Sequence, residues 1–171
     1  MSIISKIKKY GFSGVFKILL KKIFQIEIMQ FNYLKIELDC NSIQNKLQKI
    51  ELHAKELNYN DFLLGERSEF NDKKLEVIKE RFYDSSYKAY GIVNNEILIY
   101  SSWISLKKLG LPVKSNIQLK ASEGYLEDDY CHTEYRGRGI HSKMNLFRLH
   151  KLYELGKKEC IIVIKNSNTP A

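Results

Sequence analysis

The stretch Asp128-Asp129-Tyr130-Cys131-His132-Thr133-Glu134-Tyr135-Arg136-Gly137-Arg138-Gly139-Ile140-His141-Ser142 sets the fold of this chain. It reads as the end of a strand, a glycine-rich turn and the start of a helix. The strand extends back to about Ile117, with a bend expected at Gly124. The helix runs from Gly139 to about Leu155 and is closed by Gly156, a residue free to adopt the left-handed backbone of a helix end. The apolar run Cys160-Ile161-Ile162-Val163-Ile164 then reads as a buried strand. Strand, helix and strand in that order imply a parallel pair.

Two alternating segments lie upstream, Tyr87 to Val93 and Glu96 to Ser105, with a tight turn expected at Asn94-Asn95. A helix capped by Asn71 or Asp72 precedes them and runs to about Asp84, with Leu75, Ile78 and Phe82 on one face. A shorter helix capped by Asp61 ends at Gly65, and residues 106–118 read as a loop around Gly110 and Pro112. Asn41 to Leu57 fits helix and strand about equally, and the tail of Glu27 to Leu38 alternates like a strand. A hairpin feeding a strand–helix–strand unit predicts an α/β (α+β) fold. Its sheet is mixed and mostly antiparallel, with helices on both faces.

The chain has 171 residues and a formal charge of +8, and 44% of its residues are hydrophobic. That suffices for one domain with a core and excludes a disordered chain. The charge is uneven: Lys6, Lys8, Lys9, Lys17, Lys21 and Lys22 put +6 into residues 1–24, which hold no acid. The remainder is nearly balanced, which argues against a nucleic-acid partner. Phe12, Val15, Phe16, Leu19, Leu20, Ile23 and Phe24 give those residues one apolar helical face. Residues 1–24 are therefore read as a basic amphipathic arm, either docked on the domain's own core or lying on an anionic membrane surface, and residues 25–171 as one domain. The longest apolar run in the arm, Ile18-Leu19-Leu20, is far short of a membrane span. Three cysteines, Cys40, Cys131 and Cys160, with no paired spacing fit a reducing, cytoplasmic setting, peripheral to the inner membrane face where the arm engages it.

Gly137 and Gly139 permit a positive-φ turn and close approach of a ligand, and the helix that follows presents unpaired N–H groups. Together they form an anion site suited to a pyrophosphate, to which Arg136 and Arg138 add charge. No Gly-Lys-Ser/Thr follows, so this is not a P-loop. Ser142 stands where a dinucleotide fingerprint needs its third glycine.

Tyr135-Arg136-Gly137-Arg138-Gly139-Ile140, between a strand and a helix, resembles the acyl-CoA-binding motif of the GNAT superfamily of N-acyltransferases, Gln/Arg-x-x-Gly-x-Gly/Ala. Arg136 takes the first position and Gly139 the central glycine, while His141 stands where the family prefers a small residue. Asn168-Thr169-Pro170-Ala171 is similar to the Asn-x-x-Ala that often follows the next strand. The likeness spans about residues 45–171, and its specific part is 124–171. It implies acetyl-CoA as co-substrate, held in a V-shaped gap between the strands that end near His132 and Ile164. The backbone of Cys131, His132 and Thr133 would bind the pantetheine. Arg136, Gly137, Arg138, Gly139, Ile140, His141 and Ser142 would hold the pyrophosphate, and Asn168 would face the cofactor arm. The family fold normally continues with a helix and two strands, including a tyrosine that protonates the departing thiolate. The domain is therefore expected to be C-terminally short.

The implied reaction is direct attack of a primary amine on the thioester. The acceptor is a small molecule, such as an amino sugar or its nucleotide conjugate, or a peptide. The amine must lose a proton, and a carboxylate is suited to take it. Glu123, Glu127, Asp128 and Asp129 lie on the strand before the turn. Strict alternation puts Glu127 and Asp129 on one face and Asp128 on the other. Asp128 is the first candidate base and Glu127 the second. Cys131, His132 and His141 lack the spacing of a metal site, so no metal is expected. Trp103 is a candidate for the acceptor pocket or the core. The rival reading is an inactive GNAT-like scaffold module that binds CoA or a partner, peripheral to a membrane.

Overall fold

The computed structural model describes residues 31–110 and 117–165. The arm expected over residues 1–24, Pro112 and the Asn168 motif lie outside the described residues. The chain divides into two units. One is Tyr33–Val163; the other is Met1–Asn32 with Ile164–Ala171, of which only residues 31–32 and 164–165 are described.

The strands are β1 (Phe31–Glu37), β2 (Lys55–Glu56), β3 (Tyr87–Asn94), β4 (Ile97–Ser105), β5 (Glu123–Cys131) and β6 (Glu159–Lys165). The helices are α1 (Cys40–Leu47), α2 (Tyr59–Phe62), α3 (Asp72–Tyr83) and α4 (Ile140–Glu154), with a 3-10 turn at Thr133–Tyr135. The sheet order is β1-β6-β5-β4-β3-β2. β2 to β5 pair antiparallel in succession, and β5 pairs parallel with β6 across α4. This is the mixed, mostly antiparallel sheet that the sequence predicts.

The strands bury both faces. Trp103 and Ile104, neighbours on β4, point to opposite sides and are 1% and 0% exposed. Trp103 packs with Phe62 of α2 and with Leu75 and Ile78 of α3. Ile104 packs with Met144 and Leu152 of α4. Helices therefore cover both faces, as expected.

Several boundaries differ from the sequence reading. The hairpin turns at Asn95-Glu96, both with positive φ (49° and 59°), rather than at Asn94-Asn95. Asn94 still pairs with Ile97, and the two residues between them adopt the left-handed geometry that suits the strand twist. The α2 cap is Asn58. Asp61 is its reciprocal partner, accepting from the Asn58 N–H at 2.8 Å. Residues 117–119 are not part of β5: Leu109 and Leu119 N–H groups donate to Ile117 and Lys107 carbonyls in a separate bridge. Asn41–Leu57 resolves into helix first and strand last. Asp39 caps α1, and Lys55 and Glu56 find an edge on β3.

Candidate active site

The site begins with a break in register. Trp103 faces Glu127 across the β4–β5 ladder, and two residues back along β4, Ser101 faces Tyr130. β5 therefore carries one extra residue between Glu127 and Tyr130. Asp128 absorbs it with φ +54°, a β-bulge in left-handed geometry that aspartate tolerates better than most residues. The bulge reverses the alternation. Leu126 packs with the α4-side cluster and Tyr130 with the α3-side cluster, although they are four residues apart. Glu127 and Asp128 both approach Arg81 of α3, whereas Asp129 pairs with Arg148 of α4. Glu127 and Asp129 thus do not share a face, contrary to the expectation from strict alternation.

The four acids have different surroundings. Glu123 lies at the far end of β5. The Lys120 N–H and the Lys35 ammonium bind it and hold its carboxyl below the usual range. Asp128 is ion-paired with Arg81 at 2.7 Å and Lys74 at 3.3 Å. Asp129 is held by Arg148 at 2.7 Å. Glu127 is different: it is 8% exposed, and its Oε1 has no hydrogen-bond partner among the described residues. The Arg81 guanidinium stands 3.9 Å from Oε2 and is itself engaged by Asp128 and stacked over Trp103 and Tyr87. Burial pushes the Glu127 carboxyl up from 4.5 to about 7; Arg81 opposes the shift and Asp128 adds to it.

Beside the bulge the strand edge opens. Among the described residues the β5–β6 ladder runs from Glu123↔Glu159 to Leu126↔Ile162, although β5 continues to Cys131. The His132 N–H donates to the Ile99 carbonyl at 2.9 Å, so it faces β4. Cys131, one residue earlier, turns its N–H and carbonyl the other way, and its carbonyl accepts from Arg136 Nε at 3.1 Å. The Thr133 N–H donates to Glu66 at 3.1 Å. Of the three residues whose backbone is expected to bind pantetheine, only Cys131 turns its N–H to the open edge.

The turn itself has the expected form. Gly137 and Gly139 have φ of +75° and +69°, and a Cβ at either would meet nothing within 4 Å. Gly139 caps α4 without a side-chain hydrogen bond, and the first turn carries no acid. An open cradle therefore lies over the positive end of a four-turn helix, which fits a pyrophosphate. Arg136 and Arg138 brace the turn: Arg138 donates to the Glu134 carbonyl and lies 4.9 Å from the Tyr135 ring centre. Ile140 packs into the α4-side cluster, and Ser142 is exposed. Both His141 ring nitrogens are occupied, by the Tyr100 hydroxyl at 2.8 Å and by Asn145 at 3.0 Å. His132 accepts from the Glu134 N–H at 3.3 Å. Asn168 lies outside the described residues.

Arg81, Glu66 and Arg148 carry no part in the site as read from sequence, and Gly110 stands there only as a loop glycine. Glu66 accepts from the Thr133 hydroxyl and the Tyr130 hydroxyl, which holds its carboxyl below the usual range. No local pattern announces a contact across 67 residues. Arg148 did leave a signal: it sits four residues from Met144 and Leu152, inside the apolar stripe of α4. Trp103 is a core residue, stacked on Phe62.

A groove of about 600 Å³ lined by Glu37, Leu38, Ser122, Lys158 and Glu159 lies at the other end of β5 from the bulge. Among the described residues, no three His, Cys, Asp or Glu side chains cluster so as to hold a metal ion. No helix among them is long and apolar enough to cross a membrane.

No family model and no curated protein matches the sequence. The fold, in contrast, is similar to solved structures. A functionally unknown conserved protein from Staphylococcus epidermidis matches at TM-score 0.53 and 16% identity, over 90% of this chain. The chain spans 58% of that protein's length. The GCN5-related glucosamine N-acetyltransferase region of a fungal multi-domain β-N-acetylglucosaminidase matches at TM-score 0.53 and 12% identity, over 82% of this chain and 19% of that one. An aminoglycoside N-acetyltransferase in complex with CoA matches at TM-score 0.49 and 14% identity, over 68% of this chain and 81% of that one. The fold of this chain, with its antiparallel strands, one parallel pair and a glycine turn between them, is thus similar to that of a GCN5-related N-acetyltransferase region.

Proposed function

We propose that this chain is an N-acetyltransferase that moves an acetyl group from acetyl-CoA to a primary amine, with Glu127 as general base. The observation that carries the reading is the Glu127 carboxyl, buried beside the bulge with a pKa of about 7. A primary amine of pKa about 10 is only about 0.1% neutral at pH 7, so attack needs a proton acceptor. A base is most effective when its pKa lies near the working pH. Asp128, bound to two cations, holds Arg81 in place instead.

In this reading the amine nitrogen attacks the thioester carbonyl carbon, and Glu127 takes the amine proton, directly or through one water. The C–S bond then breaks, and the thiolate leaves and is protonated. The Cys131 N–H at the open edge is the donor for the pantetheine arm, and the turn from Arg136 to Ser142 holds the pyrophosphate. An amino sugar is the first acceptor to test, because the structurally similar fungal region is a glucosamine N-acetyltransferase. A peptide amine is the second.

The test is release of free CoA from acetyl-CoA in the presence of glucosamine, other amino sugars and peptide amines. Acceptor-dependent release that falls at least 100-fold in Glu127→Gln supports the proposal. Release that is unchanged in this variant removes Glu127 from the mechanism. CoA binding without turnover of any amine favours the inactive module.

A further inference from the structure

The full burial of Arg148 stands out on the α4 side of the bulge. It is 0% exposed, in a helix stripe otherwise filled by Met144 and Leu152. Burying a guanidinium is costly, and an apolar side chain would suit the stripe. Its fork grips both strands where their register breaks. Nη2 binds Asp129 Oδ1 at 2.7 Å, one residue past the bulge. Nη1 donates to the carbonyl of Trp103, the residue across from Glu127, at 3.4 Å. Nη2 also donates to Asn145 Oδ1, and Nε has no partner among the described residues.

The same contacts reach the glycine turn. Asp129 Oδ2 lies 3.8 Å from His141 Nδ1, and His141 is bonded to Tyr100 and Asn145. His141 is the second residue of α4, two past Gly139. Tyr100 is paired with Cys131, whose N–H faces the open edge. A chain of polar contacts thus runs from the bulge through Asp129 and His141 to the first turn of α4.

We propose that Arg148 is a positioning residue: it locks the β5 bulge in register and, through Asp129 and His141, ties it to the phosphate-binding turn. This rests on the acetyl-CoA reading above. An arginine fork is suited to the task, because one planar group addresses a carboxylate and a carbonyl on two strands at once.

Arg148→Met keeps an unbranched stem and an apolar stripe and removes the fork. Arg148→Lys keeps the charge but offers one ammonium to two strands. Both are measured well below their melting temperatures. Without ligand, amide exchange at Tyr130 and His132, whose N–H groups face β4 next to the bulge, is expected to quicken at least tenfold in Arg148→Met, with β3 amides Ala89–Ile92 unchanged. CoA affinity is expected to fall at least tenfold, with Arg148→Lys between Met and wild type. Faster exchange across the whole sheet with unchanged CoA affinity marks a purely structural arginine and overturns the proposal. If the wild-type chain fails to bind CoA, the functional reading falls, and the local exchange pattern alone decides the role of Arg148. If Arg148→Met does not fold, Asp129→Asn cuts the same link, and the same exchange test applies to it.

Discussion

Gly110 lies against Glu127: a methyl group at Gly110 would overlap Glu127 Oε2. The Tyr125 hydroxyl donates to the Gly110 carbonyl at 3.2 Å and fixes the backbone there. The glycine makes room for the carboxyl and also covers it, so the position of the proposed base depends on a residue 17 positions away.

Gly110→Ala is accordingly expected to push the carboxyl out of place. Turnover of acetyl-CoA with an active amine should fall about tenfold, the size of effect that a displaced proton acceptor produces. CoA affinity should stay within twofold, because the phosphate turn is untouched. Steady-state kinetics and calorimetry on the same preparation check both.

Glu127→Gln separates activity from stability. Wild-type turnover should rise with pH through about 7 as the carboxyl ionises, and the variant should lose that limb along with most of its rate. The folded pKa lies above the ordinary 4.5, so between those values the folded state holds the proton more tightly than the unfolded chain. Stability therefore falls as pH rises through this window, by up to about 3 kcal/mol above pH 7. The variant carries no such cost. Urea denaturation should find it near wild type at pH 4.5 and more stable than wild type at pH 8.

Much of the fold was legible because it is written in local patterns. The hairpin, the helix between Gly139 and Gly156 and the apolar strand after it each repeat with their own period. The turn was legible because its glycines take positive φ. The bulge was not: Glu127-Asp128-Asp129 reads as continuous strand, and only the pairing with β4 shows that Asp128 is the extra residue. That one residue exchanged the surroundings of Asp128 and Asp129. Partners supplied from α3 and α4, such as Arg81 and Arg148, depend on tertiary packing that no local pattern records, apart from the charge in the α4 stripe.

Asp128 should behave as a structural acid. Its charge raises the Glu127 pKa, so Asp128→Asn should keep the bulge, hold the rate within about fivefold and move the pH midpoint of activity downward. Asp128→Val forces a β-branched residue into φ +54° and should cost about 1–3 kcal/mol of stability in a denaturant titration. A rate loss in Asp128→Asn as large as in Glu127→Gln would make Asp128 the base.

Gly139→Asp puts a side chain and a negative charge into the open cradle at φ +69°. CoA affinity should fall by 100-fold or more while the melting temperature drops only a few degrees, the left-handed strain being about 1–2 kcal/mol. Gly139→Ala should fall between. Calorimetry and thermal denaturation separate the two effects.

The turn from Arg136 to Ser142 and the open edge of β5 are proposed to hold acetyl-CoA. Calorimetric titration of the folded 171-residue chain with acetyl-CoA tests this most directly. One-to-one binding in the micromolar range, abolished by Gly139→Asp, is expected. A folded chain that gives no binding heat with either acetyl-CoA or CoA at several temperatures would contradict this proposal.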